Sequence, residues 1–153
     1  MTAMDEAGPE GEPGNGDPSR RDFHRHWAAD RVRYGDTDRQ GHVNNAVFAT
    51  FLETGRVNML FDPDGPMPPP GTSFVIARLV IEFRAEAHWP NEIDIGTTVT
   101  RLGRSSLTLS QGLFTRAECF ATSESVIVLT DDATRRSCPF PDGTRRLLEP
   151  FMP

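Results

Sequence analysis

Lysine is absent from this chain of 153 residues, and all 16 of its basic side chains are arginine. Against them stand 22 acids, giving a formal net charge of −6 at pH 7. That balance argues against a nucleic-acid binder working by bulk electrostatics, because such binding rests on basic side chains displacing counterions from phosphate. The arginine bias itself is what a GC-rich coding sequence would produce. Cysteine is scarce too, and Cys119 and Cys138 alone cannot build a disulfide framework or a four-ligand zinc site. No apolar run approaches the roughly 18 residues that a bilayer crossing needs. The start of the chain is acidic and rich in Gly and Pro, the reverse of a basic segment followed by an apolar one. A cytoplasmic, single-domain protein is therefore expected, with neither secretion nor membrane insertion. Also missing are GxSxG, GxxxxGK[ST] and GxGxxG, so neither a nucleophile elbow nor a phosphate-cradling loop is announced.

The first 22 residues, MTAMDEAGPEGEPGNGDPSRRD, carry −4 of the net charge and almost nothing that could join a core. Low hydrophobicity with dense Gly and Pro is the composition of a disordered tail, which leaves residues 23–153 as one nearly neutral domain. Within it, Ala28 to Tyr34 alternates as a short strand does. From Asn44 the period changes: Val47, Phe48, Phe51, Leu52, Gly55, Val57, Met59 and Leu60 recur at spacings near three and four, as one apolar helix face requires. Asn44 or Asn45 is suited to cap that helix, and FDPDGPMPPPG ends it. Four strands are expected next, over residues 73–83, 93–102, 105–116 and 119–130, joined by short turns. The segment from Asp131 reads as turns and charge. A single helix followed by hairpin-connected strands predicts an α+β fold, with the helix packed on one face of an antiparallel sheet. Outward Leu, Val and Ile positions would remain bare, so an obligate homo-oligomer is expected.

The chemistry concentrates in YGDTDRQGHVNN, residues 34–45, where Asp36, Asp38, His42, Asn44 and Asn45 lead into a helix N-terminus. The first amides of a helix have no intrahelical partner and sit at the positive end of its dipole, so they can polarise a carbonyl. A carboxylate held nearby can attack the carbonyl carbon or deprotonate water. The same residues are also ordinary turn and capping chemistry, and composition alone favours that plainer reading. Glu53 breaks an otherwise apolar stretch and is open to both readings. His24 and His26 read as solvated groups at the tail boundary, His88 as a turn residue, and Cys138 as an idle thiol.

The segment RYGDTDRQGHVNNAVFATFLETGR resembles the entry loop and central helix of the hot-dog-fold acyl-CoA thioesterases, in the branch similar to 4-hydroxybenzoyl-CoA thioesterase. The match runs through Arg33, Tyr34, Asp36, Asp38, Gly41, His42, Val43, Asn44, Asn45 and Glu53, and the Val99–Ser106 hairpin fits downstream. The resemblance implies a hot-dog fold, an antiparallel five-stranded sheet wrapped around one long central helix. It implies hydrolysis of an acyl-CoA thioester by a homodimer or homotetramer, with the site at the helix N-terminus and across a subunit interface. Asp38 falls at the position of the catalytic carboxylate, nucleophile or general base. The amide of Asn45 matches the group that polarises the thioester carbonyl. His42 matches a histidine that orients the acyl group or the water, and Glu53 a second acid assisting water. Arg104, with Ser105 beside it, matches a basic turn that contacts the phosphates of coenzyme A. Phe48 stands where a tyrosine is common, which removes a hydroxyl from the acyl pocket, and the Pro-rich loop from Asp62 to Gly71 is expected to border that pocket. No metal or cofactor is needed, since carboxylate, water and helix amides suffice for acyl transfer. Two other readings stay open: a hot-dog hydratase or dehydratase, and a module that binds an acyl thioester without hydrolysing it.

Overall fold

The computed structural model describes residues 16–153. Residues 1–15, most of the expected tail, lie outside the described residues; the remainder, expected to be disordered, is instead held against the sheet, with a 3-10 turn at Arg21–Phe23 and the Arg21 guanidinium on Asp94. Five strands, β1 (His26–Arg31), β2 (Thr72–Phe83), β3 (Glu92–Leu102), β4 (Ser106–Phe114) and β5 (Cys119–Asp131), form one antiparallel sheet in the order β1-β3-β4-β5-β2. The long helix α1 (Asn45–Leu60) connects β1 to β2, the two edge strands. Sixteen residues of helix reach about 24 Å, and five strands span roughly 19 Å, so α1 is long enough to cross the sheet that its own ends flank. This is the α+β hot-dog arrangement expected from the sequence.

The buried residues of α1 are Phe48, Phe51, Leu52, Gly55, Arg56, Met59 and Leu60, the three-and-four spacing of a single face, whereas Val57, expected on it, is turned out and exposed. Midway along, Gly55 lets the helix approach the sheet, since a Cβ there would lie 2.4 Å from Cγ2 of Ile95 and 2.8 Å from Nε2 of Gln111. Two apolar clusters result. The first half of α1 packs with Val43, Ala87, Ile93, Ile95, Leu113 and Phe120. The second half packs with Val99, Leu107, Leu109, Ile127 and Leu129.

Three expectations need correction. The first strand ends at Arg31, short of Tyr34, because the Arg33 amide donates to Oδ2 of Asp36 (2.7 Å) and draws Tyr34–Asp36 into a 3-10 turn. The segment after Asp131 contains a second helix, α2 (Asp142–Leu148), whose Leu148 is fully buried. Seven residues with two arginines hold too short a pattern for periodicity to reveal. His24 is buried, not solvated: its Nε2 lies 2.8 Å from the Pro18 carbonyl, and Phe23, Trp27 and Phe114 meet the ring edge-on. Burial pushes its imidazole below the ordinary value, opposed by the Pro18 carbonyl. His26 is partly buried at the start of β1, with its ring against Phe151.

Candidate active site

The loop between β1 and α1 is closed on itself by its own main chain. Thr37 and Val43 form an antiparallel bridge, the Asp38 amide donates to the His42 carbonyl (2.8 Å), and the Gly41 amide returns to the Asp38 carbonyl (3.1 Å). Gly41 takes the tight corner at φ 81°, a backbone region that side chains with a Cβ rarely occupy. The Asp38 carboxylate is thereby fixed: Oδ1 accepts from the amides of Gln40 (2.8 Å) and His42 (3.2 Å). Among the described residues no donor meets Oδ2.

Helix α1 begins directly after this loop. Asn44 is its N-cap, with Oδ1 accepting from the Ala46 amide (3.1 Å) and the Asn44 amide donating to the Asp36 carbonyl (2.8 Å). The Val47 amide donates to the Asn44 carbonyl (2.9 Å). The Asn45 amide has no acceptor among the described residues, so the first N–H of the helix remains available at the positive end of its dipole.

The connection from β2 to β3, residues 84–91, lies against this loop. The Val43 amide donates to the Ala87 carbonyl (2.8 Å), and His42 bridges His88 main chain to main chain. Between the two runs an open cleft of about 430 Å³, lined by Asp38, His42, Asn45, Phe48, Phe83, Arg84 and Glu86 among others. Phe48 forms its apolar wall, stacked edge-on with Phe83 (4.9 Å) and Phe120 (5.4 Å).

Four of the residues singled out from the sequence, Asp38, His42, Asn45 and Phe48, therefore share one cleft. The other three do not join them within the chain. Glu53 is exposed two turns further along α1. Arg104 and Ser105 lie in the β3–β4 turn, whose backbone bonds Phe140 and Leu129 beside the cluster at the far end of α1. None of residues 62–71 lines the cleft either, so the Pro-rich loop does not border it in this chain. Arg84 and Glu86 went unread in the sequence, because only the strand register brings residues 84–87 across from residues 38–45.

The pattern of the thioesterase-like superfamily matches residues 32–148, most of the chain. The chain belongs to that superfamily. It is a thioester hydrolase of the hot-dog fold. This thioesterase-like chain is 28% identical over 106 residues to the acyl-CoA thioester hydrolase YbgC of Escherichia coli, covering 67% of this chain and 78% of that one. The PA5185 protein of Pseudomonas aeruginosa superposes with a TM-score of 0.76 at 25% identity, covering 86% of this chain and 94% of that one. A thioesterase from Thermus thermophilus, solved with coenzyme A and zinc, superposes with a TM-score of 0.72 at 27% identity, over 83% of this chain and 93% of that one. No helix among the described residues is long and apolar enough to cross a membrane.

Proposed function

We propose that this thioesterase hydrolyses acyl-CoA thioesters to free acid and coenzyme A in the Asp38 cleft. The observation that carries the reading is the pairing of a fixed carboxylate, one oxygen still free, with an unpartnered helix N-terminal amide at the same cleft. The Asn45 amide and the helix dipole draw electron density onto the thioester oxygen as the carbonyl carbon becomes tetrahedral. Asp38 serves as nucleophile on that carbon or as general base to the water that attacks it. On either route the carbon–sulfur bond breaks and the thiolate leaves and takes up a proton; water attacks directly, or cleaves the mixed anhydride formed on Asp38, to give the free acid and regenerate the carboxylate. His42, at the same cleft, orients the acyl group or the water. Phe48 offers the acyl chain an apolar wall without a hydroxyl.

Two relatives support coenzyme A as the thiol: the E. coli protein is named an acyl-CoA thioester hydrolase, and the T. thermophilus thioesterase was solved with coenzyme A. Arg104 and Ser105, remote from Asp38 within one chain, then act in a second protomer's site, where the guanidinium pairs with coenzyme A phosphates. Glu53 assists water across the same interface. The site is completed in a homodimer or a homotetramer built from such dimers. The exposed edge strand β2 supports this reading, since its Val75, Ile76, Val80 and Phe83 are all bare in one chain and Phe83 also lines the cleft.

Thiol release from a panel of short, long, branched and aromatic acyl-CoAs tests the reading, with Asp38→Asn alongside. The expected outcome is turnover on part of the panel and a loss of at least a hundredfold in the variant, with an unchanged circular dichroism spectrum. Wild-type turnover in a folded Asp38→Asn would overturn it.

A further inference from the structure

We propose that His42, Glu86 and His88 form a site for one zinc ion at the rim of the Asp38 cleft. The inference stands apart from the hydrolytic reading and rests on the geometry of three side chains. Oε2 of Glu86 lies 3.2 Å from Nε2 of His42 and 3.8 Å from Nε2 of His88. One ligand atom from each of the three residues falls within 4.8 Å of the others. In a tetrahedral zinc site with bonds of about 2.0–2.1 Å, neighbouring ligand atoms stand about 3.3 Å apart. The His42–Glu86 pair already has that spacing, and a small rotation of the exposed His88 ring closes the third ligand.

The main chain holds the two histidines in register, because His42 and His88 are partners in an antiparallel bridge with ring centroids 4.9 Å apart. Nδ1 of His88 lies 3.3 Å from the Gly41 carbonyl. Donation there puts the proton of the neutral ring on Nδ1 and turns the Nε2 lone pair toward Glu86. Such an outer partner is the usual way a metal-binding imidazole is oriented.

The donor set selects the ion. Two imidazole nitrogens with one carboxylate oxygen suit zinc, whereas calcium and magnesium prefer oxygen throughout. Three protein ligands leave a fourth position open, and His42 and Glu86 both line the cleft, so that position opens onto it. The side chains of Glu86 and His88 are 64% and 53% exposed, so an ion enters without disturbing the core.

Calorimetric titration of the full chain with zinc chloride tests the site, together with His88→Ala and Glu86→Gln, each checked for folding by circular dichroism. The expected result is one ion per chain, with affinity at least tenfold weaker in each variant. Cobalt(II) in place of zinc should show the visible absorption of a four-coordinate ion with nitrogen and oxygen ligands. Absence of saturable binding, or equal binding in both variants, would overturn the proposal. So would a thiolate-to-cobalt band abolished by Cys119→Ser or Cys138→Ser, which would put the ion on sulfur.

Discussion

Gly96 and Gly112 stand opposite each other in the register of β3 and β4, and the two missing side chains leave a slot that the His24 ring fills. A Cβ on Gly96 would lie 2.4 Å from Cγ of His24, and one on Gly112 would lie 2.6 Å from the Pro18 carbonyl and 2.8 Å from Nε2 of His24. Residues 17–24 thus dock on the sheet by a ring in a groove, helped by the Arg21 guanidinium on Asp94 (3.0 Å) and on the Thr115 carbonyl (3.1 Å). Gly112→Ala should overfill the slot, at a cost of about 1–3 kcal/mol. The measurement is the urea midpoint together with tryptic cleavage at Arg20, Arg21 and Arg25, which should accelerate. If neither moves, the slot does not hold the segment.

The same ring makes stability depend on pH. Burial lowers the His24 pKa from the ordinary 6.5, so the unfolded chain takes up this proton before the folded one does. The stability tied to the neutral ring is complete above about 6.5 and is lost as pH falls toward the lowered folded value. His26 is shifted the same way by burial, with the Asp62 charge opposing. Urea midpoints should therefore decline below about pH 6.5, and His24→Gln should flatten the decline. An unaltered slope in the variant would assign the acid sensitivity to His26 or to carboxylates.

The contrast between α1 and His24 shows what the amino-acid sequence could tell. Helix α1 was legible because its apolar face repeats within sixteen residues, and strands β2 to β5 because runs rich in β-branched and apolar residues are bounded by turn residues. Asp38, His42 and Asn45 were singled out by the resemblance of one contiguous loop, since composition alone favoured plain turn chemistry, and the structure places the three at one cleft. His24 was misread because its burial depends on two glycines more than 70 residues away that face each other only once β3 and β4 pair. Arg84 and Glu86 carried no local pattern of their own, and pairing of residues 42–43 with 87–88 brings them to the cleft.

Between the two apolar clusters lies a polar node that the fold must satisfy internally. Nε2 of Gln111, fully buried, donates to the Leu52 carbonyl (3.1 Å) and to Oγ1 of Thr97 (3.1 Å), while Nη1 of Arg56 donates to its Oε1 (3.4 Å). Burial lowers the Arg56 pKa, with the Glu53 charge opposing. Gln111→Leu leaves the buried guanidinium without its acceptor and the Leu52 carbonyl without its side-chain donor, a loss of about 1–3 kcal/mol. Adding Arg56→Leu removes the stranded cation, so the double variant should recover part of that loss. A double variant weaker than the sum of the two singles would show that the guanidinium is satisfied elsewhere.

Strand β2 offers the sharpest test of assembly because it is both a sheet edge and a wall of the cleft. Val75 and Ile76 are 45% and 44% exposed, and the register with β5 shifts beside them, between Ile76 and Arg78. Phe83, 53% exposed at the end of the same strand, continues into Arg84 and the cleft. If β2 pairs with β2 of a second copy, Val75→Asp with Ile76→Asp sets like charges against one another across a symmetric edge. Analytical ultracentrifugation should then find a monomer where the unaltered chain is a dimer or larger. Turnover should fall with the dimer if, as proposed, Arg104 and Ser105 reach the cleft from the partner. A folded monomer with full turnover would show that one chain holds the whole site, and would leave Arg104 an exposed turn arginine with no part in it.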